Sequence, residues 1–313
     1  MKNSTKIKVV GVGGAGSNAI SRMKQCKIKG VDLIAINTDA QDLKKTKADL
    51  KLRIGKKLTR GLGSGMNPLI GLKAAQESEN EIREVLKDSD MVFITAGLGG
   101  GSGTGASPVV AQIAKEIGAL TIAVVTKPFS FEGLKRKYIA IRGLKKLKDK
   151  VDSLLIIPND KLLKLKNKNI SLSSAFWICD EVLRQAVQGI SDLINISGII
   201  NVDFADVKSI MQNSGPALFG IGKAKGKNRA QEAAMKAIHS PLIDFSIKGA
   251  KGILFNVFGD SSLSLSEINE AAKVITGNVH PQAKIIFGAV QKEKIKNKTL
   301  EITVIATDFD DKV

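Results

Sequence analysis

The segment GLGGGSGTG, residues 97–105, decides the fold of this 313-residue chain. Six of its nine residues are glycine, and Ser102 and Thr104 place hydroxyl groups between them. An apolar run over residues 91–96 precedes the segment, and residues 109–117 follow it with helical spacing. Where a strand passes through glycines into a helix, backbone N–H groups gather at the helix N-terminus and bind phosphate oxygens. The segment therefore predicts a phosphate-binding loop at one end of an α/β sheet.

A second glycine-rich segment, GVGGAG at residues 11–16, lies near the N-terminus. It follows the β-branched run 7–10 and precedes a predicted helix over residues 17–26. Alone, this pattern is typical of a dinucleotide-binding fold and would indicate a nicotinamide-dependent oxidoreductase. Two such loops at the same end of one sheet favour instead a di- or triphosphate that is held from two sides. The GxxxxGK[ST] motif is absent from the sequence, so the chain is not an ordinary P-loop NTPase.

The first half of the chain alternates between strands and helices. Its predicted strands are residues 7–10, 31–36, 91–96, 120–125 and 153–157, and its predicted helices are 17–26, 77–86 and 109–117. This alternation predicts a doubly wound, mainly parallel α/β sheet with helices on both faces. A long helix follows over residues 171–196, and a smaller α+β region then carries strands at 252–258, 284–288 and 300–306. The sequence thus predicts two domains joined by a long central helix.

The composition excludes several classes of function. The formal net charge is +18, but the lysines are scattered and no aromatic residues are interleaved with them, so we expect no specific nucleic-acid partner. No apolar run approaches the ~20 residues of a membrane-spanning helix, so we expect no direct membrane insertion. Cys26 and Cys179 are far apart, and His239 and His280 lie in no metal-ligand pattern. We therefore expect a cytoplasmic protein with no metal site built from its side chains.

The ordered motifs of the chain resemble a known family. GGGSGTG (99–105) resembles the signature loop of tubulin, and the surrounding motifs resemble FtsZ, the family of bacterial tubulin homologues that forms the cell-division ring. These motifs are GVGGAGSNA (11–19), NTDAQ (37–41), GLGSGMNP (61–68), TKPFSFEG (126–133), IPNDKLL (157–163), AVQGISDLI (186–194) and NVDFADV (201–207). They follow the family's order and spacing from Lys6 to Thr307.

The resemblance implies a tubulin-like GTPase that binds GTP or GDP and polymerises head to tail into filaments. It implies a GTP-binding domain over residues 1–171, a central helix over 172–196 and a C-terminal activation domain over 197–313, with a catalytic loop at 201–207. GTP would be hydrolysed at the interface between subunits, with Mg²⁺ bridging phosphate oxygens. The filaments would form the cell-division ring at the inner face of the membrane.

The resemblance also implies the residues of the nucleotide site. The phosphates would be held by backbone N–H groups of Gly13, Gly14, Gly99, Gly100, Gly101, Gly103 and Gly105, with hydroxyl donors from Ser102 and Thr104. Glu132 would accept from the ribose hydroxyls, and Arg136 would pair with phosphate. The guanine pocket would comprise Asn159, Phe176 and Asp180, assisted by Asn18. A carboxylate that accepts two donors selects guanine over adenine.

The catalytic residues implied by the resemblance are Asp203 and Asp206, which would polarise or position the attacking water, and Asn201, which would hold the loop. From the residues alone, the two aspartates are ordinary helix-start residues. Glu132 and Arg136, four residues apart on one helical turn, would likewise form a surface ion pair, and Phe176 would pack in the core. A GTP-binding relative that does not hydrolyse the nucleotide is the alternative function, and the two aspartates argue against it.

The chain departs from the family pattern at three places. Ser102 stands where threonine is usual, and the hydroxyl is kept. The residues after Gly226 are KNRA where acidic residues are common, which puts the lateral contacts between filaments in question. The sequence ends at Val313 without a motif that resembles the family's tethering peptide. We expect the chain itself to be the main partner; other division proteins remain possible partners, but without that peptide.

Overall fold

The computed structural model describes residues 5–163, 171–196, 198–240, 247–291 and 298–309. The chain divides into two compact units, Met1–Ser191 and Asp192–Val313. Within the described residues, no helix is both long enough and apolar enough to cross a membrane.

The first unit contains a parallel sheet and its flanking helices. Its strands are β1 (Ile7–Val12), β2 (Asp32–Asn37), β3 (Leu50–Arg53), β4 (Met91–Gly97), β5 (Leu120–Lys127) and β6 (Ser153–Pro158). Its helices are α1 (Gly13–Gln25), α2 (Ala40–Lys45), α3 (Lys56–Thr59), α4 (Pro68–Glu77), α5 (Glu79–Leu86), α6 (Ser102–Glu116), α7 (Leu134–Lys148), α8 (Asn159–Leu163) and α9 (Leu172–Asn195), whose last residues belong to the second unit.

The strands of the first unit are ordered β3-β2-β1-β4-β5-β6, and each neighbouring pair is parallel. Nearly every residue of β1, β4 and β5 is buried, which means that both faces of the sheet are covered. The buried apolar residues include Val10, Ile94, Val110 and Val125. The predicted doubly wound α/β class is confirmed.

Helix α6 lies in close contact with α4 and α7 because glycines stand at the contact points. A Cβ added at Gly105 of α6 would lie 2.0 Å from the carbonyl oxygen of Pro68 at the start of α4. A Cβ added at Gly143 of α7 would lie 2.2 Å from Cγ2 of Thr104 on α6. Only glycine permits such close approach of neighbouring backbones. These contacts fix the position of α6, which begins directly after the 97–101 loop.

The second unit contains α10 (Phe204–Met211), β7 (Gly215–Lys225), α11 (Arg229–Ile238), β8 (Gly252–Gly259), α12 (Leu265–Thr276), β9 (Lys284–Gln291) and β10 (Thr299–Thr307). Its strands are ordered β7-β10-β8-β9; β10 is antiparallel to both neighbours, while β8 and β9 are parallel. Buried residues of the sheet, such as Phe255, pack with Ala233 and Ala237 of α11 and Ile275 of α12. This mixed sheet with its helices agrees with the predicted α+β character.

The structure differs from the sequence-based prediction in several elements, among them α1, the segment 77–86 and β7. Helix α1 begins at Gly13, inside the glycine segment, whereas the prediction began it at Ser17. The predicted helix over residues 77–86 corresponds to α5 together with the last residue of α4, and the two helices meet at Ser78. Strand β7 was not predicted, because a Gly-Pro start and two interior glycines are unusual in a strand.

Candidate functional site

The two glycine-rich loops meet at the carboxyl ends of neighbouring strands. Strands β1 and β4 are paired in parallel; β1 leads directly into α1, and β4 leads through residues 98–101 into α6. Gly13 has a φ of +73°, and a Cβ added there would lie 2.7 Å from the backbone nitrogen of Gly103. Only glycine allows both this conformation and this approach. The structure therefore brings the N-termini of α1 and α6 side by side, as the two-loop interpretation requires.

Two glycines of these loops leave space beside the backbone. Gly14 is exposed, and an added Cβ would have only Oδ2 of Asp42 nearby, at 3.6 Å. A Cβ added at Gly100 would meet no atom within 4 Å. The first N–H groups of a helix have no acceptor within the helix, and the helix dipole favours an anion there. This end of the unit therefore forms a cradle that suits phosphate groups.

The hydroxyls between the glycines bond to the protein. Ser102 is 9% exposed, and its Oγ lies 2.6 Å from Oγ1 of Thr38 and 2.9 Å from Oγ of Ser64. Oγ1 of Thr104 accepts a hydrogen bond of 2.9 Å from the N–H of Gly99. These hydrogen bonds hold the loop in place through contacts within the protein. Direct donation from either hydroxyl to phosphate stays a prediction.

Glu132 and Arg136 form an ion pair beside this end of the unit. Glu132 Oε2 accepts from Nη1 of Arg136 at 2.6 Å, and its Oε1 accepts from the N–H of Phe129 at 2.8 Å. The expectation that one helical turn carries both residues was wrong, because Gly133, at a φ of +94°, separates the 3-10 turn Ser130–Glu132 from α7. The ion pair forms across this break. The roles toward ribose and phosphate stay predictions.

Phe176 presents its ring at the surface near the start of α9. The side chain is 41% exposed, and its ring packs edge to face against buried Phe129, with centroids 5.5 Å apart. Phe129 in turn stacks on Phe131 at 4.9 Å. The alternative of a core phenylalanine is therefore inconsistent with its exposure. A supported, half-exposed ring is suited to stacking on a flat ligand.

Asp180 lies one helical turn after Phe176 and is partly buried. Burial raises the pKa of the Asp180 carboxyl to about 7, and the charge of Arg22 partly offsets this rise. Arg22 of α1 lies 4.0 Å from the ring centroid of Trp177 and 3.5 Å from a carboxylate oxygen of Glu181. The start of α9 is thereby joined to α1. A carboxyl with a raised pKa beside an exposed ring is typical of a binding site.

The two cysteines lie in different surroundings. Cys179, next to Asp180 on α9, is buried, and its pKa is raised to about 12 by burial first and by the charge of Asp180 second. Cys26, which follows α1, is exposed.

Two asparagines complete the predicted guanine pocket. Asn159, the first residue of α8, is 5% exposed, and no group of the described residues donates to its buried Oδ1. A buried polar atom without a partner costs free energy unless water or a ligand satisfies it. Asn18 is exposed on α1, four residues after Gly14, and therefore lies on the same side of the helix as the open glycine.

The three predicted catalytic residues belong to the second unit. Asp203 caps α10: its Oδ1 accepts from the N–H of Asp206 at 2.8 Å, and Oδ2 of Asp206 accepts from the N–H of Asp203 at 3.3 Å. Asn201 Oδ1 accepts from the N–H of Gly198 at 2.7 Å. Asn201 and Asp203 are exposed and Asp206 is half-buried. The helix-start interpretation therefore describes their local structure, and their catalytic role stays a prediction.

The structure adds residues that sequence reasoning missed. Arg22 could have been predicted as a site residue, because Gly14, Asn18 and Arg22 follow one another at four-residue spacing along α1. Thr38 and Ser64 had no sequence signal that linked them to Ser102. Within the ranges that the structure describes, no group of three His, Cys, Asp or Glu residues could hold a metal ion.

Comparisons with known families agree with this arrangement. A model of the Tubulin/FtsZ family, GTPase domain, matches residues 6–167. A model of the FtsZ family, C-terminal domain, matches residues 215–310. The two matches cover the strands of both units that the structure describes.

Solved structures give the same result. An empty FtsZ dimer from M. jannaschii is 51% identical, with a TM-score of 0.93 over 98% of this chain and 89% of that one. A point mutant of M. jannaschii FtsZ is also 51% identical, with a TM-score of 0.92 over 98% of this chain and 92% of that one. CetZ2 from Haloferax volcanii, a GTPγS-bound protofilament, shares the fold at 22% identity and a TM-score of 0.82, over 96% of this chain and 92% of that one. The chain belongs to the FtsZ family of tubulin-like, GTP-binding cell-division GTPases.

Proposed function

We propose that this GTPase polymerises head to tail into filaments of the cell-division ring and hydrolyses GTP between subunits. The glycine loops of one subunit would bind the nucleotide, and the Asp203–Asp206 turn of the next would complete the active site. The observation that carries the proposal is this turn. Asp203 is exposed and Asp206 is half-buried, and each side chain bonds to the backbone N–H of the other. Relatives support assembly, since M. jannaschii FtsZ forms a dimer and CetZ2 a protofilament.

The described residues fit a guanine nucleotide. The open backbone at Gly14 and Gly100 accommodates phosphates, and the ring of Phe176 offers a stacking surface. The carboxylate of Asp180 would accept from the N1–H and the amino group of guanine. The buried Oδ1 of Asn159 is an acceptor that still lacks a donor among the described residues. Both acceptors favour guanine, whose edge supplies the donors, over adenine.

Catalysis would rest on positioning and on charge. Phosphoryl transfer needs chiefly an aligned water and stabilisation of charge on the phosphate oxygens. The backbone N–H groups of the two helix N-termini supply part of that charge stabilisation. Asp203 and Asp206 would hold the water, and Asn201 would hold the loop through its bond to Gly198.

Mg²⁺, when bound, would add to the charge stabilisation of the phosphate oxygens. It needs few protein ligands when phosphate and water supply most of the oxygens. Oδ2 of Asp42, near Gly14, is a carboxylate oxygen beside the cradle and could bind Mg²⁺ directly or through a water molecule.

We also propose that the chain consists of a GTP-binding domain (1–171), a central helix (172–196) and an activation domain (197–313).

The test follows light scattering and phosphate release together after addition of GTP and Mg²⁺. The wild type should scatter more light above a critical concentration and then lose that signal as phosphate appears. Asp206→Asn keeps an oxygen for the helix cap but removes the charge, so it should assemble while releasing phosphate about a hundredfold more slowly. Glu270→Ala, which removes an exposed carboxylate from α12, is the matched control and should behave as the wild type.

Two outcomes would contradict the proposal. If Asp206→Asn hydrolysed GTP at the wild-type rate, Asp206 would serve only to stabilise the start of α10 through its bond to the N–H of Asp203. Wild-type protein that binds GTP but neither assembles nor releases phosphate would match the alternative of a non-hydrolysing relative.

A further inference from the structure

A groove of about 660 Å³ opens on the first unit; Thr104 and Gly105 line it, whereas Gly14 and Gly100 do not. Helix α6 forms its floor, α4 forms one wall, and α7 with the turn after it forms the other. The close contacts at Gly105 and Gly143 bring both walls to α6 near its N-terminus. Its volume is that of pockets for small organic ligands, which measure about 300–1,000 Å³.

The floor and the α4 wall of the groove are largely apolar. Pro108 and Val109 of α6 and Leu72 of α4 are each partly exposed to the groove, and Leu69 is 55% exposed. Such side chains gain when a ligand removes them from water, by roughly 25 cal/mol per Å² of apolar surface. The floor and the α4 wall of the groove therefore offer apolar surface to a ligand.

The α7 wall is strongly cationic. Seven of the 15 residues of α7 are Lys or Arg, and none is acidic. Arg142 and Lys146 line the groove one helical turn apart on α7, and Lys150 lines it from the turn after the helix. One carboxylate, Asp149, also lines it. Arg142 and Lys146 form no ion pair with any carboxylate of the described residues, which leaves both available to an anion.

We propose that this groove binds a small amphipathic anion, that is, a carboxylate, sulfonate or phosphate joined to a ring or a short hydrocarbon. The apolar part would lie on Pro108, Val109 and Leu72, and the anion would pair with Arg142 and Lys146. Charge complementarity and volume both support a free small molecule. Arg142 and Lys146 lie only about 6 Å apart along the axis of α7, which is short for a docked partner helix. The proposal is independent of assembly and of hydrolysis, so it can fail while the proposed function stands.

The probe for the test is 8-anilinonaphthalene-1-sulfonate, whose fluorescence rises in apolar surroundings and whose sulfonate supplies the anion. It is titrated into GDP-loaded protein at about 0.15 M salt, where exposed charges are partly screened. The wild type should show one saturable site. Lys146→Glu and Arg142→Glu should each weaken binding by about tenfold or more, since each places a negative charge beside the sulfonate. Gln112→Trp, an exposed position on the floor, should weaken it similarly by filling the groove.

Lys145→Glu is the matched control, because Lys145 neighbours Lys146 on α7 but does not line the groove. It carries the same change of net charge and should bind the probe as the wild type does. 1-Naphthalenesulfonate should displace the probe at lower concentration than neutral 1-naphthol. The proposal is overturned if the wild type shows no saturable site, if Lys145→Glu weakens binding as much as Lys146→Glu, or if Lys146→Glu and Gln112→Trp, both with wild-type melting temperatures, bind as the wild type does.

Discussion

The two sides of the proposed nucleotide site, one for phosphate and one for the base, are built in different ways. On the phosphate side, glycines bring backbone within 3 Å of where a Cβ would lie, as at Gly13, and the Ser102 hydroxyl is bonded to two other side chains. On the base side, the ring of Phe176 is 41% exposed, and Oδ1 of Asn159 is buried without a donor among the described residues. The proposed phosphate side is thus held by contacts within the protein, whereas the proposed base side offers a ring and an acceptor that a ligand would contact.

This difference indicates how substitutions should separate. Changes within the close-packed backbone of the phosphate side should lower the free energy of unfolding, because the neighbouring backbone would have to shift. Changes on the base side should lower affinity and leave stability nearly unchanged. Three experiments sharpen or break this contrast.

The largest effect is expected for Gly105→Ala. Its Cβ would lie 2.0 Å from the Pro68 carbonyl oxygen, so α4 would have to shift, at a cost of about 2–3 kcal/mol in the free energy of unfolding. The matched control is Gly100→Ala, where the Cβ meets no atom within 4 Å. The control should change stability by at most about 0.5 kcal/mol, as measured by urea unfolding, but should weaken GDP binding because the methyl group enters the cradle. Equal destabilisation by both would refute the contrast.

A smaller effect is expected for Phe176→Ala. Loss of a stacked aromatic ring costs about 1–3 kcal/mol of binding per base, so the dissociation constant of GDP should rise by about tenfold or more. The melting temperature should hardly change, since the ring is half-exposed. Phe131→Ala, which removes another exposed ring packed on Phe129, is the control and should retain GDP affinity. Similar losses from both variants would assign the effect to Phe129 and its packing instead of to stacking on guanine.

The smallest effect is a pH dependence that arises on the base side. Because burial raises the pKa of Asp180 to about 7, the unliganded protein carries this carboxyl mostly protonated below that pH. Guanine needs the ionised form, so GDP affinity should rise by about tenfold between pH 6 and pH 8.

The stability of the unliganded protein should change with pH in the opposite direction to the GDP affinity. The folded chain keeps this proton to higher pH than the unfolded chain, so the stability of the unliganded protein should fall as pH rises from the ordinary aspartate pKa toward about 7. Titration calorimetry and urea unfolding across this range measure the two effects. Asp180→Asn should bind GDP weakly with no pH slope; an unchanged slope in that variant would exclude Asp180 as its origin.

The sequence predicted the features that depend on short, local patterns. The alternation of strands and helices in the first half was enough to predict the parallel sheet, and the ordered motifs were enough to predict the family. Contacts between distant segments were not accessible. The bonds from Ser102 to Thr38 and Ser64 join residues 64 and 38 positions apart, and no local pattern announces them.

Strand β7 shows the same limit in another form. Gly222 interrupts its apolar pattern, yet a Cβ there would lie 1.9 Å from the carbonyl oxygen of Ala233, so glycine is needed for α11 to pack on the strand. A residue that weakens the local strand propensity is thus required by the tertiary contact. The break between Glu132 and Arg136 at Gly133 was missed for a related reason, since the four-residue spacing alone fits one continuous helix.

The contrast between the two cysteines has a practical consequence. The thiolate is the reactive form of cysteine, and burial with a pKa of about 12 keeps Cys179 protonated at neutral pH. Cys26 is exposed, and the sequence contains no third cysteine. A maleimide dye should therefore attach to one defined point of each subunit without any engineered substitution. Energy transfer between labelled subunits would then report assembly directly, in a protein whose amino-acid sequence is unchanged.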